Sequence, residues 1–350
     1  MRQEAADTMT ILYEIREQIK YYYSKYDIYI RTLLKFVMGL FVFFMINAKL
    51  GFMSRLDNFA IPVLLSLLCS FLPVNCMVLF AVLIVLVQLF ALSLELAAVA
   101  AVILLMMLCL YFILAPKDGY LLVLTPLLFA LKMPYVMPIV VGLVGTPLGI
   151  VPVSCGVVAY YIMHFASANA ATFQNSSTDA ITDRIKFMME YMIGNKEMML
   201  TIVAFAIVLA LVYILRRTSM DYAWYIAIGA GALANILIFL IGDFAMDISN
   251  SILGLLAGTL LSVAAALVVQ FFVFSVDYTG TRKVQFEDDE YYYYVKAVPK
   301  ITISAKDKQV KEIHSPSGKH RDGQRARRQQ EHSKAKRRPR PTQSAEHGNR

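Results

Sequence analysis

Between Lys132 and Cys155 the sequence reads KMPYVMPIVVGLVGTPLGIVPVSC, apolar enough for a bilayer yet carrying Pro134, Pro138, Pro147 and Pro152. Gly142 and Gly145 add further breaks. Proline lacks an amide donor and clashes with the preceding turn, so an unbroken helix here would leave carbonyls unmet in a medium that offers no donors. Such backbone persists at membrane depth only where protein or a water-lined cavity receives it. The chemistry this suggests is recognition of a solute by free backbone groups. A second stretch, 61–76, reads IPVLLSLLCSFLPVNC, beginning near Pro62 and closing on Pro73-Val74-Asn75-Cys76, which parallels Pro152-Val153-Ser154-Cys155. Paired interruptions in two parts of a polytopic chain point to a transporter site. Chance recurrence in a proline-bearing apolar chain explains the pair equally well, because the spacing from the first proline differs between the copies. On the transport reading, Pro62, Pro73, Asn75, Pro134, Pro138, Gly142, Gly145, Pro147, Pro152 and Ser154 line the path.

Enzymatic signatures are absent. There is no G-x-x-x-x-G-K-[ST], no H-E-x-x-H and no G-x-S-x-G. Gly242-Asp243 has Leu240 where an intramembrane aspartyl protease needs glycine, and no second intramembrane aspartate accompanies it. Cys69, Cys76, Cys109 and Cys155 all fall in apolar runs without C-x-x-C spacing or a nearby histidine, so neither a metal, a cofactor nor a disulfide framework is expected. His164 stands alone near a span end, where a satisfied interfacial histidine is the ordinary role. Gln88, Asn235 and Gln270 are the polar residues inside spans, each explicable by hydrogen bonding between helices. Lys132 sits at a segment end where its stem can snorkel. So little buried charge argues against an ion-driven carboxylate relay and favours a neutral, amphipathic or backbone-held solute.

The elements that must hold these residues are membrane helices. Apolar residues make up 58 % of the chain and charged ones 17 %, outside the soluble range. Runs of roughly 20 residues, enough for ~30 Å of hydrocarbon, recur between Leu33 and Val276. The expected fold is an all-α, polytopic transmembrane helical bundle over 33–277. Spans are predicted near 33–53, 59–75, 76–94, 97–115, 150–165, 198–215, 222–242 and 251–276. Glu95 is expected in a tight turn, since a buried carboxylate there would be costly. Pro116-Lys117-Asp118-Gly119 is a turn by composition. Segments 120–133 and 135–149 are each shorter than a span and predict a re-entrant pair, giving eight spans plus that pair; two tilted full spans, ten in all, are the alternative. Arg216-Arg217 and the basic tail predict both termini inside.

Outside the bundle, residues 9–31 within the 1–32 region place Leu12, Ile15, Ile19, Tyr22, Tyr23, Tyr26 and Ile30 near one helical face, as in a helix lying on the membrane or docking a cytoplasmic partner. The region 166–197 is expected to be extracytoplasmic, with an amphipathic helix from Ile181 to Gly194 placed to lid a cavity. The body to residue 280 holds fifteen cationic and sixteen anionic residues and the remainder eighteen and nine, so the net charge of +8 belongs to the tail. Residues 306–350 hold almost no aliphatic side chains and are expected to be disordered. Their cations Arg325, Arg327, Arg328, Lys334, Lys336, Arg337, Arg338 and Arg340 suit anionic lipid more than nucleic acid.

The juxtamembrane segment 278–305 contains FEDDEYYYYVKAVPK and a β-prone run. This segment resembles that of a family of polytopic clostridial membrane proteins. The resemblance covers some fifteen residues and implies a bacterial plasma membrane and no particular activity. The sequence thus predicts a multi-pass cell-membrane protein that is not an enzyme. It is either a permease-like protein, working alone or with a separate ATPase, or a membrane scaffold recruiting envelope-assembly or cell-shape proteins through its termini.

Overall fold

The computed structural model describes residues 2–53, 56, 58–174, 181–218, 220–248, 251–273, 282–287 and 292–297. Side chains are described for 14–173 and 185–273 within those ranges. The disorder expected of 306–350 and the tail cations Arg325 to Arg340 lie outside the described residues.

The helices are α1 (Arg2–Lys25), α2 (Asp27–Leu50), α3 (Ala60–Phe71), α4 (Val74–Leu92), α5 (Leu94–Leu114), α6 (Gly119–Ala130), α7 (Val136–Val144), α8 (Ile150–Ala168), α9 (Ala170–Gln174), α10 (Ile181–Gly194), α11 (Lys196–Arg216), α12 (Ala223–Met246) and α13 (Ile252–Val273). Among the described residues, seven segments are long and apolar enough to cross a membrane: α2, α4, α5, α8 with the preceding 3-10 turn at Pro147–Gly149, Ile185–Arg216, α12 and α13. The architecture is that of a multi-pass membrane bundle. Helices α4 and α5 are apolar on every face, and large side chains such as Phe71, Ile113 and Leu260 stand exposed, as lipid-facing residues do. One addition to the all-α expectation is an antiparallel hairpin of β1 (Arg282–Glu287) and β2 (Tyr292–Ala297), with Phe286 opposite Tyr293, across the segment whose composition is β-prone.

Helix starts and stops follow local chemistry. The Ser93 hydroxyl accepts from the Leu96 amide and bonds the Glu95 carboxylate, so Glu95 occupies the capped first turn of α5 at the α4–α5 junction. The amino-terminal region departs from the expected 9–31 helix. Helical hydrogen bonds run through Tyr26, from its amide to Tyr22 and from Ile30 back to it, but its backbone kinks there. Asp27 then opens α2 and accepts from Arg31 Nε at 2.6 Å, so the long apolar helix begins six residues before Leu33.

Helices α3, α6 and α7, of 12, 12 and 9 residues, rise only about 18, 18 and 14 Å, well short of a full span. The stretch 120–149 thus forms two short helices, neither long enough to span by itself. Helices α6 and α7 make a hairpin whose two ends meet: a methyl built on Gly149, just past α7, would lie 3.3 Å from Leu121 in the first turn of α6. Helix α3 runs back along α2, with Ser70 Oγ donating to the Thr32 carbonyl at 2.8 Å and Lys35 Nζ to the Leu72 carbonyl at 3.2 Å.

Candidate functional site

The α6–α7 hairpin is built by its prolines and closed at both ends by specific bonds. Pro126 cannot donate to the Leu122 carbonyl four residues back. Gly156 of α8 lies against that carbonyl, where a Cβ would come within 2.9 Å of it and 2.6 Å of Thr125 Cβ. Helix α6 ends in a Schellman arrangement: the Met133 amide donates to the Leu128 carbonyl at 2.8 Å and the Lys132 amide to the Phe129 carbonyl at 3.1 Å. Lys132 takes the left-handed conformation, φ 58°, that this motif normally gives to glycine. Pro134 follows and prevents the helix from resuming at once. Non-glycine residues held this way gather at ligand sites.

At its other end α7 leaves its last carbonyls without helical donors. Arg216, at the end of α11, supplies them: Nη1 bonds the Leu143 carbonyl and Nη2 donates to the Gly145 carbonyl at 2.7 Å. Gly142 permits α7 to lie on α11, since a Cβ there would fall 2.7 Å from Val212 Cβ.

The hairpin tip opens into a cavity of about 290 Å³, roughly twenty times the space one water requires. Its walls are Phe129, Lys132, Pro134 and Tyr135 from the tip; Tyr160, Tyr161 and His164 from α8; Glu197, Thr201 and Phe205 from α11; and Phe239, Ser251, Gly254 and Leu255 around the α12–α13 junction. Lys132, His164, Glu197, Ser251 and Gly254 are exposed and form the mouth. Aromatic rings dominate the interior. Phe129 stacks on Tyr160 at 4.5 Å, Tyr160 lies parallel to His164 at 5.9 Å, and Lys49 Nζ sits 4.4 Å over the Tyr160 ring. Tyr135 meets Phe239 edge-on at 5.2 Å and closes the floor. Asn195 caps α11 by accepting from the Met198 amide at 2.9 Å, which fixes Glu197 in the first turn. The lining joins ring faces, hydroxyls, the His164 imidazole, the Glu197 carboxylate and the Lys132 ammonium, a set for holding an amphipathic or polar solute. No group of three or more metal-ligating side chains exists among the described residues.

Of the sequence-predicted path, only Pro134 lines this cavity. Pro138, Gly142 and Pro152 are buried in helix packing, Ser154 is half-buried on α8, Pro147 is exposed in the 3-10 turn, and Gly145 accepts from Arg216. Pro62 is buried within α3, while Pro73 stands exposed just before α4. Asn75 is used in the bundle, its Oδ1 accepting from Tyr111 Oη at 2.7 Å. The two interrupted stretches are thus not brought to one cavity. Helix α10 contributes no lining residue; its Phe187 and Tyr191 pack around Phe165 of α8. Sequence reasoning missed Tyr160, Tyr161, Glu197 and Thr201, and read Arg216 only as a marker of sidedness. The tyrosine pair followed by His164 at helical spacing is the signal that was available. The chain matches no protein-family model, no curated protein and no solved structure, so the reading of this site rests on its own geometry.

Proposed function

We propose that this chain is a permease-like protein of a bacterial plasma membrane whose solute occupies the cavity at the tip of a re-entrant α6–α7 hairpin. Both termini are cytoplasmic in this reading, and α3 with its preceding loop completes an eighth crossing, so Arg216 holds the hairpin base on the cytoplasmic side and the cavity mouth faces outward. The basic tail rests on anionic lipid of the inner leaflet. The observation that carries the proposal is the strained Lys132 turn opening onto a 290 Å³ aromatic cavity, where a purely structural hairpin would be packed shut. Transport is then facilitated or secondary, or coupled to a separate ATPase.

The test is sided labelling of a Thr201→Cys variant in a background whose four native cysteines are replaced. A permease that alternates exposes position 201 to an impermeant maleimide in both right-side-out and inverted vesicles. Labelling from the mouth side alone, with cell phenotype abolished by deleting 306–350, would instead establish the scaffold.

A further inference from the structure

Below the cavity floor, α12 and α13 share a buried seam of neutral polar side chains. Phe239 lines the cavity and Asn235 lies one turn deeper on the same face of α12; Leu255 lines it and Thr259 lies one turn deeper on α13. Ser262 and Gln270 continue the α13 face, at spacings that keep them on one stripe for about 22 Å of rise from Leu255. Asn235 and Ser262 are fully buried, and Thr259 and Gln270 are 2 % and 4 % exposed.

The bonding along this seam leaves acceptors over. Thr259 Oγ1 donates its only proton to the Leu255 carbonyl at 2.8 Å, so it meets Asn235 as an acceptor. The Asn235 atom 3.2 Å away is therefore the amide nitrogen, and the orientation of that amide is fixed by chemistry. Among the described residues, neither Asn235 Oδ1 nor Gln270 Oε1 accepts a hydrogen bond. Gln88, by contrast, is bonded at both its nitrogen and its oxygen: it donates to Asn47 Oδ1 at 2.9 Å and accepts from the Met53 amide at 2.8 Å. Buried acceptors without donors are costly, and a native structure keeps them for a reason.

We propose that the Asn235–Thr259–Ser262–Gln270 seam is the inner half of the solute path, closed in this structure, and that its solute is small, uncharged and rich in hydrogen-bond donors, such as a polyol or an amide. This rests on the permease reading of the cavity. The seam contains only neutral amides and hydroxyls and no ionised side chain, so it offers an ion no counter-charge, while the two spare acceptors receive O–H or N–H groups. Tyr135 and Phe239 separate the two halves, and the Tyr135 ring fills the space beside Gly258, where a Cβ would stand 2.8 Å from it. Parting α12 from α13 while that ring pair withdraws converts the mouth-open cavity into an opening toward the far end of α13.

Isosmotic swelling of phosphatidylethanolamine/phosphatidylglycerol liposomes containing the full chain tests this, with erythritol, urea, glycine and choline chloride as probes. Erythritol or urea should enter faster than in protein-free liposomes, and Asn235→Leu should slow that entry by about three- to tenfold, the loss of one hydrogen bond. Ser262→Val should act in the same direction, with size-exclusion profiles confirming that both variants fold. Equal rates for wild type and both variants overturn the seam. Entry of glycine or choline with exclusion of erythritol and urea overturns the neutral-solute class while leaving the permease intact. Water passage alone overturns the inference and marks the seam as hydrated structure, whereas one-sided labelling at position 201 removes the permease reading itself.

Discussion

Around α3 and around the α6–α7 hairpin the chain meets the same difficulty, an apolar backbone broken by proline, and settles it in two ways. The α3 region is met by neighbouring side chains: Lys35 and Ser70 tie it to α2, and just beyond it Tyr111 bonds Asn75. The hairpin is met by partners at its base, Arg216 and the glycine contact with α8, but its tip is left facing open space. Interrupted backbone alone therefore does not mark a site. What marks one is an interruption that the surrounding helices leave room for, and two amides repeat the lesson, Gln88 bonded at both nitrogen and oxygen and Asn235 at its nitrogen alone.

The largest test of this contrast is steric. Gly142→Leu drives a side chain into Val212 and should cost about 3 kcal/mol or more, seen as lost monodisperse protein and a lower thermal midpoint in detergent. Gly229→Leu, where a Cβ meets nothing within 4 Å, should stay within about 0.5 kcal/mol. Next, Arg216→Gln removes charged donors from the Leu143 and Gly145 carbonyls and should destabilise by about 2 kcal/mol, while Arg217→Gln, whose guanidinium meets the hydroxyl and ring of Tyr213 on the helix surface, should leave the midpoint unchanged.

Smaller effects sharpen the comparison between the amides. Gln88→Leu strands the Met53 amide and should cost about 1–2 kcal/mol, whereas Asn235→Leu removes an unmet acceptor and should be close to neutral in the same melt. A destabilisation as large at Asn235 as at Gln88 would mean that the seam is ordinary packing. Last, Lys132→Gly relieves the left-handed strain and should stabilise by about 1 kcal/mol, raising the midpoint even as the cavity loses its ammonium.

Much of the architecture was legible because hydropathy is a local property. Spans around 76–94, 97–115, 198–215, 222–242 and 251–276 appear as α4, α5, α11, α12 and α13 with ends shifted by a few residues, and the Ser93–Glu95 turn falls where a lone carboxylate in an apolar run required one. That 120–133 and 135–149 form short helices was readable for the same reason, since Pro134 and the shortage of residues disfavour a full crossing, while two tilted spans fitted the same residues. The kink at Tyr26 was not readable, because helical hydrogen bonding continues through it.

Which helix ends converge was beyond the sequence. Glu197, Tyr161 and Leu255 each follow from an ordinary local pattern, a capped first turn or one face of an apolar helix, and nothing local says that they share a cavity. Composition and proline placement determined by themselves that this chain forms apolar helices, and that some would be too short to cross, because the bilayer penalises every unmet backbone group. Tertiary packing alone decided that one interruption would be filled and the other left open, because that depends on which glycines let distant helices approach and which side chains arrive to donate.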